Sequence, residues 1–416
     1  MSLDHMKAPR LAPAPVPRPT PKLSPQPQIS VGTILLLAAT CGLIVANIYY
    51  AQPLIGPIAQ TLGLAPQAAG LIVTMSQIGY GAGLLFIVPL GDLVENRRLT
   101  LASVGLSAIA LAAAAFAPSA SIFLICAGLI GLGSVAVQIL VPLAAHLAPE
   151  ATRGRVVGMV SSGLMIGIML ARPVSSFIAA QSSWRAVFVL SSAAMVALAA
   201  VLSRALPVRA PQTRMTYGAL IGSMAHLVAA TPLLRRRAFY QSCLFFAFSL
   251  FWTTTPLLLA GPHYRMTQNG IALFGLAGVS GAIAAPIAGR LADRGFSRPT
   301  TGVAIVLVAA ALLLTLLAAP GSPLALALLV AAAIAIDFGV QGNLVLGFRA
   351  IFALAPDARG RLNGAYIATF FAAGAVGSAV GAWAYARGGW TLACWVGVAP
   401  PLLALARFLL TAATRD

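Results

Sequence analysis

The sequence predicts an all-α membrane protein in which twelve transmembrane helices form two pseudo-symmetric halves of six. Three observations predict this fold. The chain of 416 residues is 60% hydrophobic and only 8% charged, whereas soluble domains have about 45–50% apolar and about 25% charged residues. Its apolar residues gather in runs long enough to cross a bilayer. Finally, landmarks in the first half of the chain recur in the second half.

The apolar runs have the length of transmembrane helices, since about 20 residues are needed to cross the hydrocarbon core. Backbone groups must be hydrogen-bonded within the bilayer, which favours helices, and the runs are too long for the strands of a barrel. The twelve runs are 31–54, 67–90, 99–117, 121–145, 156–178, 184–203, 238–259, 269–289, 300–319, 322–345, 363–385 and 390–412.

Positive charge lies on one side of the predicted membrane. With the amino terminus inside, all 26 Lys and Arg residues fall on the cytoplasmic side except Arg172, Arg185, Arg265 and Arg387. This is the positive-inside pattern, so we expect a multi-pass protein of the bacterial inner membrane with both termini in the cytoplasm. The same pattern accounts for the net charge of +18 without a nucleic-acid partner.

The segments outside the runs define the predicted domains. Residues 1–30 are rich in proline and predict a disordered cytoplasmic tail. The six-helix halves then cover 31–203 and 238–412, with a cytoplasmic linker at 204–237 and a short tail at 413–416.

The linker contains apolar residues at helical spacing and closes with three arginines, which favours an amphipathic helix on the inner membrane surface over a plain loop. The apolar residues are Leu220, Ile221, Met224, Leu227 and Val228.

An internal repeat relates the two halves. The charged turn at 289–298 has a counterpart at 89–98, and their aspartates, Asp293 and Asp92, are 201 residues apart. An Arg-Gly-Arg sequence at 153–155 recurs at 359–361, and Trp184 recurs as Trp390, both at an offset of 206. Three landmarks in the same order indicate two six-helix halves, with a binding site between them near the middle of the membrane.

The turns also carry a family resemblance over roughly residues 31–412. Gly289-Arg290-Leu291-Ala292-Asp293-Arg294 resembles the signature of the major facilitator superfamily, specifically its bacterial drug/sugar efflux-like (arabinose efflux permease-like) branch. The first turn matches at Leu90-Gly91-Asp92 and Arg97-Arg98, but Leu93 replaces the usual basic residue and Glu95 the usual glycine. The resemblance implies a conformational latch on the cytoplasmic side. We expect its residues to be Asp92, Arg97, Arg98, Asp293 and Arg294.

Two departures separate the chain from the antiporters of that family. The fourth helix has no arginine in the region 126–131, where antiporters often carry one. The glycine-spaced motif of the fifth helix keeps Gly158 and Gly167 but ends in Ala171-Arg172-Pro173 instead of Gly-Pro. Antiport is therefore implied less firmly than the fold.

Two charged residues lie deep within predicted spans, Arg172 and Asp337. Each costs about 2.5–3.5 kcal/mol on insertion scales, so such residues usually serve a function. Asp337 is the candidate proton carrier, or else a structural carboxylate. Arg172 is a candidate for binding an anionic group, for balancing Asp337, or for anchoring the outer half of its helix. At 1.5 Å per residue their depths differ by about 12 Å, which argues against a direct ion pair.

Uncharged polar residues supply the other candidates for substrate binding. The resemblance places helices one, four, seven and ten around the cavity, and buried amides and hydroxyls indicate either a ligand or a hydrogen bond between helices. Besides Arg172, the candidates are Asn47, Tyr50, Gln138, Trp252, Thr253, Gln341 and Asn343.

We therefore predict a secondary active transporter that moves a small organic solute by alternating access, with proton-coupled efflux of a sugar or drug-like compound as the leading form. Proton-coupled uptake, or uniport of a possibly anionic solute, is the alternative. No catalytic motif, metal-ligand spacing or filter-like segment is present, which argues against an enzyme or a channel. We expect a monomer without cofactor or metal, whose partners are its substrate, protons and membrane lipids.

Overall fold

The computed structural model describes residues 30–150, 152–208, 215–354 and 359–413. Within these ranges the regular structure is helical throughout. The predicted tails at 1–30 and 413–416 lie outside the described residues except for Ser30 and Ala413. Residues 209–214 of the predicted linker and 355–358, just before the second Arg-Gly-Arg sequence, also lie outside them.

The first half contains six membrane spans, several of which consist of two helical pieces. Span 1 covers 31–62 and is interrupted after Ala46. Span 2 is Pro66–Asp92, span 4 is Ala120–Leu147, and both contain a break. The α-helices are Val31–Ala46, Ile55–Leu62, Leu71–Phe86, Asn96–Ala115 (span 3), Ala120–Gly133, Ala136–Leu147, Arg153–Gln181 (span 5) and Trp184–Ala205 (span 6).

The second half repeats this arrangement. Its α-helices are Pro232–Ala260 (span 7), Gln268–Gly275 and Gly281–Asp293 (together span 8), Ser297–Leu314 (span 9), Pro323–Phe352 (span 10) and Arg359–Ala413. The last of these turns back at Gly388 and Gly389, whose backbone is not helical. Gly389 has a φ of 63°, which glycine adopts without strain. Spans 11 and 12 are therefore 359–387 and 390–413.

The count of spans agrees with the sequence prediction. Ten helices in the described chain are long and apolar enough to cross a membrane. One of the ten is the divided helix, which holds two spans, 11 and 12. Span 1 is not among the ten, because its break leaves a first helix of only 16 residues. Including both gives twelve spans, and the predicted all-α fold of two six-helix halves is confirmed.

The helix Tyr217–Ala230 lies in the linker between the halves and begins at the cap residue Thr216. It buries Leu220 and Met224. It contacts both halves, because the Tyr217 hydroxyl donates to the Phe86 carbonyl and Arg361 donates to the Ser223 hydroxyl. Its position on the membrane surface remains a prediction.

The halves meet along spans 2 and 11 and along spans 5 and 8. The Thr74 hydroxyl of span 2 donates to the Ala375 carbonyl of span 11 at 2.9 Å. Gln77 of span 2 donates to the Ser249 hydroxyl of span 7 at 2.7 Å. These contacts join the two halves of the molecule.

Candidate functional site

Arg172 of span 5 is the centre of a polar cluster between the halves. Its side chain is only 2% exposed, although it carries a charge. The Arg172 Nε donates to the Gln52 Oε1 of span 1 at 2.7 Å. A buried guanidinium needs such partners because an unpaired charge in an apolar interior is costly.

Trp252 of span 7 connects Arg172 to Asp337 of span 10. The Arg172 Cζ lies 4.2 Å from the centroid of the Trp252 ring, within the range of a cation–π contact. The Trp252 Nε1 donates to the Asp337 Oδ2 at 2.8 Å. No salt bridge joins the two charged residues directly. The indole thus bridges a positive group of one half and a negative group of the other.

Two further aromatic rings lie close to the guanidinium. The Arg172 Cζ lies 5.3 Å from the ring centroid of Tyr49 and 5.1 Å from that of Phe248. Span 8 closes the cluster at Gly278. A Cβ at that position would lie 3.1 Å from the Trp252 ring and 3.2 Å from the Arg172 Nη1, so the close approach depends on the missing side chain.

Prolines shape three of the spans beside the cluster. Proline cannot donate the helical hydrogen bond to the carbonyl four residues earlier. Pro53 follows the break in span 1, Pro173 follows Arg172 directly, and Pro256 lies four residues after Trp252. Each proline therefore removes a backbone hydrogen bond from its span near the polar cluster. Such interruptions are tolerated in membrane helices that line a site.

Two hydrogen-bond donors in the cluster have no partner. The Arg172 Nη2 and the Gln52 Nε2 are buried and form no hydrogen bond. The whole Gln52 side chain is buried. Because unpaired buried polar atoms are rare, each indicates a missing ligand, a water molecule or a second conformation. Both atoms belong to residues that already touch each other.

Four of the predicted substrate-binding residues bond within their own half. The Ser191 hydroxyl of span 6 donates to the Asn47 Oδ1 at 2.5 Å, and Tyr50 also contacts Ser191. The Thr253 hydroxyl donates to the Ser378 hydroxyl at 3.0 Å. The Asn343 Nδ2 donates to the Gln241 Oε1 at 2.7 Å. In this structure these four side chains connect helices and do not join the Arg172 cluster.

Gln341 lies beside Asp337 within the second half, whereas Gln138 lies on the interface between the halves. Gln341 is 9% exposed and packs beside Gly281 of span 8, as does Asp337 one turn away. Gln138 donates to the Tyr80 hydroxyl at 3.0 Å and accepts a hydrogen bond from Asn363 of span 11 at 3.1 Å. Gln138 thus links the halves towards the predicted cytoplasmic side, away from Arg172.

The second predicted latch turn forms an ion pair with a residue outside the turn. Asp293 at the end of span 8 accepts a hydrogen bond from Arg349 of span 10, which also donates to the Gly289 carbonyl at 2.9 Å. Arg294 is exposed and has no polar partner among the described residues. Asp293 thus joins two spans of one half.

The first predicted latch turn is bonded differently. Asp92 is exposed and has no ion pair or hydrogen bond among the described residues. Arg97 donates to the Ser203 carbonyl at the end of span 6. Arg98 pairs with Glu95 at 3.0 Å. Asp92 and Arg97 do not bond to each other in this structure, and the latch role of the turn remains a prediction.

Sequence reasoning missed Gln52, Tyr49, Phe248 and Arg349. Gln52 had a visible signal, because it is an amide within an apolar run and lies three residues after Tyr49. Asn47 and Tyr50 have the same spacing and bond to span 6 instead. The rotation of span 1 about its axis determines which of these two pairs lies beside Arg172. The sequence did not reveal that rotation.

Comparison with known proteins decides the family. The model of the Major Facilitator Superfamily matches residues 34–339 and 273–416. The chain belongs to the Major Facilitator Superfamily. It is 41% identical to the uncharacterized transporter YgaY of Escherichia coli O157:H7 over 92% of this chain and 96% of that protein. It is 34% identical to the probable transporter SCO4007 of Streptomyces coelicolor over 87% of this chain and 83% of that protein.

Solved structures of this superfamily share the fold. A bacterial homolog of the human lysosomal transporter Spinster, in an inward-facing and unoccupied conformation, aligns with a TM-score of 0.75 and 15% identity over 92% of this chain and 97% of that chain. The nucleoside transporter NupG aligns with a TM-score of 0.74 and 14% identity over 91% and 99%. This facilitator-superfamily chain is therefore a multi-pass membrane transporter and not an enzyme.

Proposed function

We propose that this protein is a proton-coupled secondary transporter that moves a small organic solute by alternating access at the Arg172–Trp252–Asp337 cluster. The observation that carries the proposal is the bridge through Trp252. It joins a cation of the first half to an indole and a carboxylate of the second half. Rocking of one half against the other changes these contacts, which places the solute site where access alternates.

Asp337 is the proposed proton carrier. Its side chain is 3% exposed, and among the described residues its hydrogen-bond partner is the Trp252 Nε1. A proton on the carboxylate removes its charge and weakens both this bond and the attraction to Arg172. Since Arg172 belongs to the other half, proton binding at Asp337 changes how strongly the two halves are held together.

The direction of transport depends on how the solute and the proton affect each other. The resemblance to the drug/sugar efflux-like branch favours export against protons, which requires that the two bind alternately. Uptake with protons requires that they bind together and is the second candidate, because Arg172 provides a positive charge for a solute beside a carboxylate. Uniport would need no proton at all.

The experiment is a measurement of internal pH in proteoliposomes as candidate solutes are added outside. The panel contains neutral sugars, organic cations and organic carboxylates. We expect at least one class to drive proton flux in the wild type. Asp337→Asn should abolish that flux and retain exchange of the solute, whereas the control Glu150→Gln changes an exposed carboxylate and should behave like the wild type.

Two results would contradict the proposal. Active accumulation that persists in Asp337→Asn under an imposed pH gradient would exclude this carboxylate as the carrier. Solute exchange without any proton flux in the wild type would indicate a uniporter.

A further inference from the structure

We infer that the site takes an organic carboxylate, and that the carboxylate and the proton bind together. This inference rests on the proposed function and specifies its substrate class. It begins with the two unpartnered donors, the Arg172 Nη2 and the Gln52 Nε2. Both are donors, so a ligand that completes them must present acceptors.

The two donors are held beside each other. The Arg172 Nε donates to the Gln52 Oε1, which fixes the guanidinium and the amide in one pair. The free nitrogens of this pair offer one charged and one neutral N–H group to the same ligand. A carboxylate has two oxygens and a negative charge, which suits such a pair better than a single hydroxyl or a cation.

The surroundings of the pair favour an organic anion over a small hydrated one. The rings of Tyr49, Phe248 and Trp252 lie within 5.3 Å of the Arg172 Cζ and provide apolar contact area. A cation would face the charge of Arg172, since Asp337 is already engaged by the Trp252 N–H. The site thus combines aromatic rings with an anion-binding end.

The link to the proton follows from the balance of charge. In the described chain, the charged or titratable groups that act on Asp337 are Arg172 of span 5 and Tyr49 of span 1, and span 7 contributes the Trp252 N–H. Span 8 presents glycine beside it. With Asp337 charged, Arg172 is already balanced and a carboxylate adds an excess negative charge. With Asp337 protonated, the carboxylate restores the balance.

Proton and carboxylate therefore promote each other's binding, and the effect is reciprocal by thermodynamic linkage. Joint binding makes the two move in the same direction. This arrangement supports proton–carboxylate symport, the second of the two directions considered above.

The test measures binding to the purified full-length protein in detergent by thermal stabilisation. The probes are formate, lactate, gluconate and benzoate, each beside its neutral amide. Carboxylic acids ordinarily titrate near pH 4, so these probes stay ionised between pH 6 and pH 8. We expect stabilisation by at least one carboxylate and not by its amide, with apparent affinity about fivefold or more higher at pH 6 than at pH 8.

Matched variants locate the effect. Gln52→Glu keeps an oxygen for the Arg172 Nε and replaces the free donor by an acceptor, so carboxylate binding should be lost. Gln60→Glu adds the same charge at an exposed position of the same span and should bind like the wild type. Arg172→Gln should also lose binding. Asp337→Asn should bind the carboxylate with equal affinity at both pH values.

Each contrary outcome is informative. Absence of carboxylate-specific stabilisation in the wild type, or equal binding by Gln52→Glu, would overturn the inference. Weaker binding at pH 6 would overturn joint binding. Proton flux driven by a neutral or cationic solute would keep the proposed function and exclude the carboxylate. Carboxylate binding without coupled proton movement would keep the carboxylate as the ligand and exclude the proposed proton coupling.

Discussion

The two halves share their turns but differ in the residues that they contribute to the site. At the repeat offset of 206, Arg172 of the first half corresponds to Ser378 of the second, and Asp337 corresponds to Gly131. Trp252 corresponds to Ala46. The halves thus repeat their frame of helices, while the cation comes from one half and the indole and carboxylate from the other.

The charged turns show the same difference on a smaller scale. Asp293 pairs with Arg349, whereas the first half has Leu143 at the position that corresponds to Arg349, 206 residues earlier. At this position the corresponding acid, Asp92, therefore has no arginine to pair with. Similar sequence in the two turns did not produce similar bonds, because the partner lies on another helix.

The largest effect that would test the asymmetric site is expected for Trp252→Phe. The change keeps an aromatic ring beneath Arg172 and removes the N–H that holds Asp337. A hydrogen bond to a charged group contributes about 1.5–3 kcal/mol, so we expect solute-driven proton flux to fall about tenfold or more. Flux in proteoliposomes, normalised to the amount of protein, measures this.

The matched control is Trp390→Phe at the start of span 12. This change removes the bond that the Trp390 indole donates to the Thr315 hydroxyl. Its flux should stay close to that of the wild type, although its stability should fall. Equal losses of flux in the two variants would show that Trp252 acts only through packing.

An intermediate effect is expected for the polar residues that bond within one half. Asn343→Ala leaves the Gln241 Oε1 without its donor, and Asn47→Ala leaves the Ser191 hydroxyl without its acceptor. Each should lower the free energy of unfolding by about 1–3 kcal/mol. Thermal unfolding of the purified variants measures this change. At 25 °C the folded fraction of each variant should exchange solute at the wild-type rate.

The exposed asparagine Asn269 provides the control, because Asn269→Ala should change stability by less than about 0.5 kcal/mol. Loss of solute binding in folded Asn343→Ala or Asn47→Ala would assign these residues to the substrate site instead.

The smallest effect is expected at the turns. Asp293→Asn removes the ion pair with Arg349, whereas Asp92→Asn removes no bond of this structure. A cysteine introduced at Ala288, which is buried near Gly342 of span 10, reports opening between spans 8 and 10. Because surface ion pairs have small effects, we expect maleimide labelling to increase about twofold in Asp293→Asn and little in Asp92→Asn.

The reverse order of labelling rates would show that the first turn controls opening despite its lack of a partner. In that case Asp92 would form its latch bond in another conformation of the transport cycle.

The sequence by itself determined the number of spans and the two buried charges. Length and apolar composition are sufficient for this, because the bilayer imposes a fixed thickness and a high cost on charge. The cost of charge singled out Arg172 and Asp337, the family resemblance implied Trp252, and the structure brings the three together. The predicted depths argued against a direct bond between the charges, and they contact each other through the indole.

Only the tertiary structure decided which face of each span meets which neighbour. Asn47 and Gln52 are both buried amides of span 1, but Asn47 bonds to Ser191 within its own half while Gln52 bonds to Arg172. A helix that is apolar all round carries little periodic signal for its rotation. Close packing at positions such as Gly278 sets that rotation, and packing depends on residues far apart in the chain.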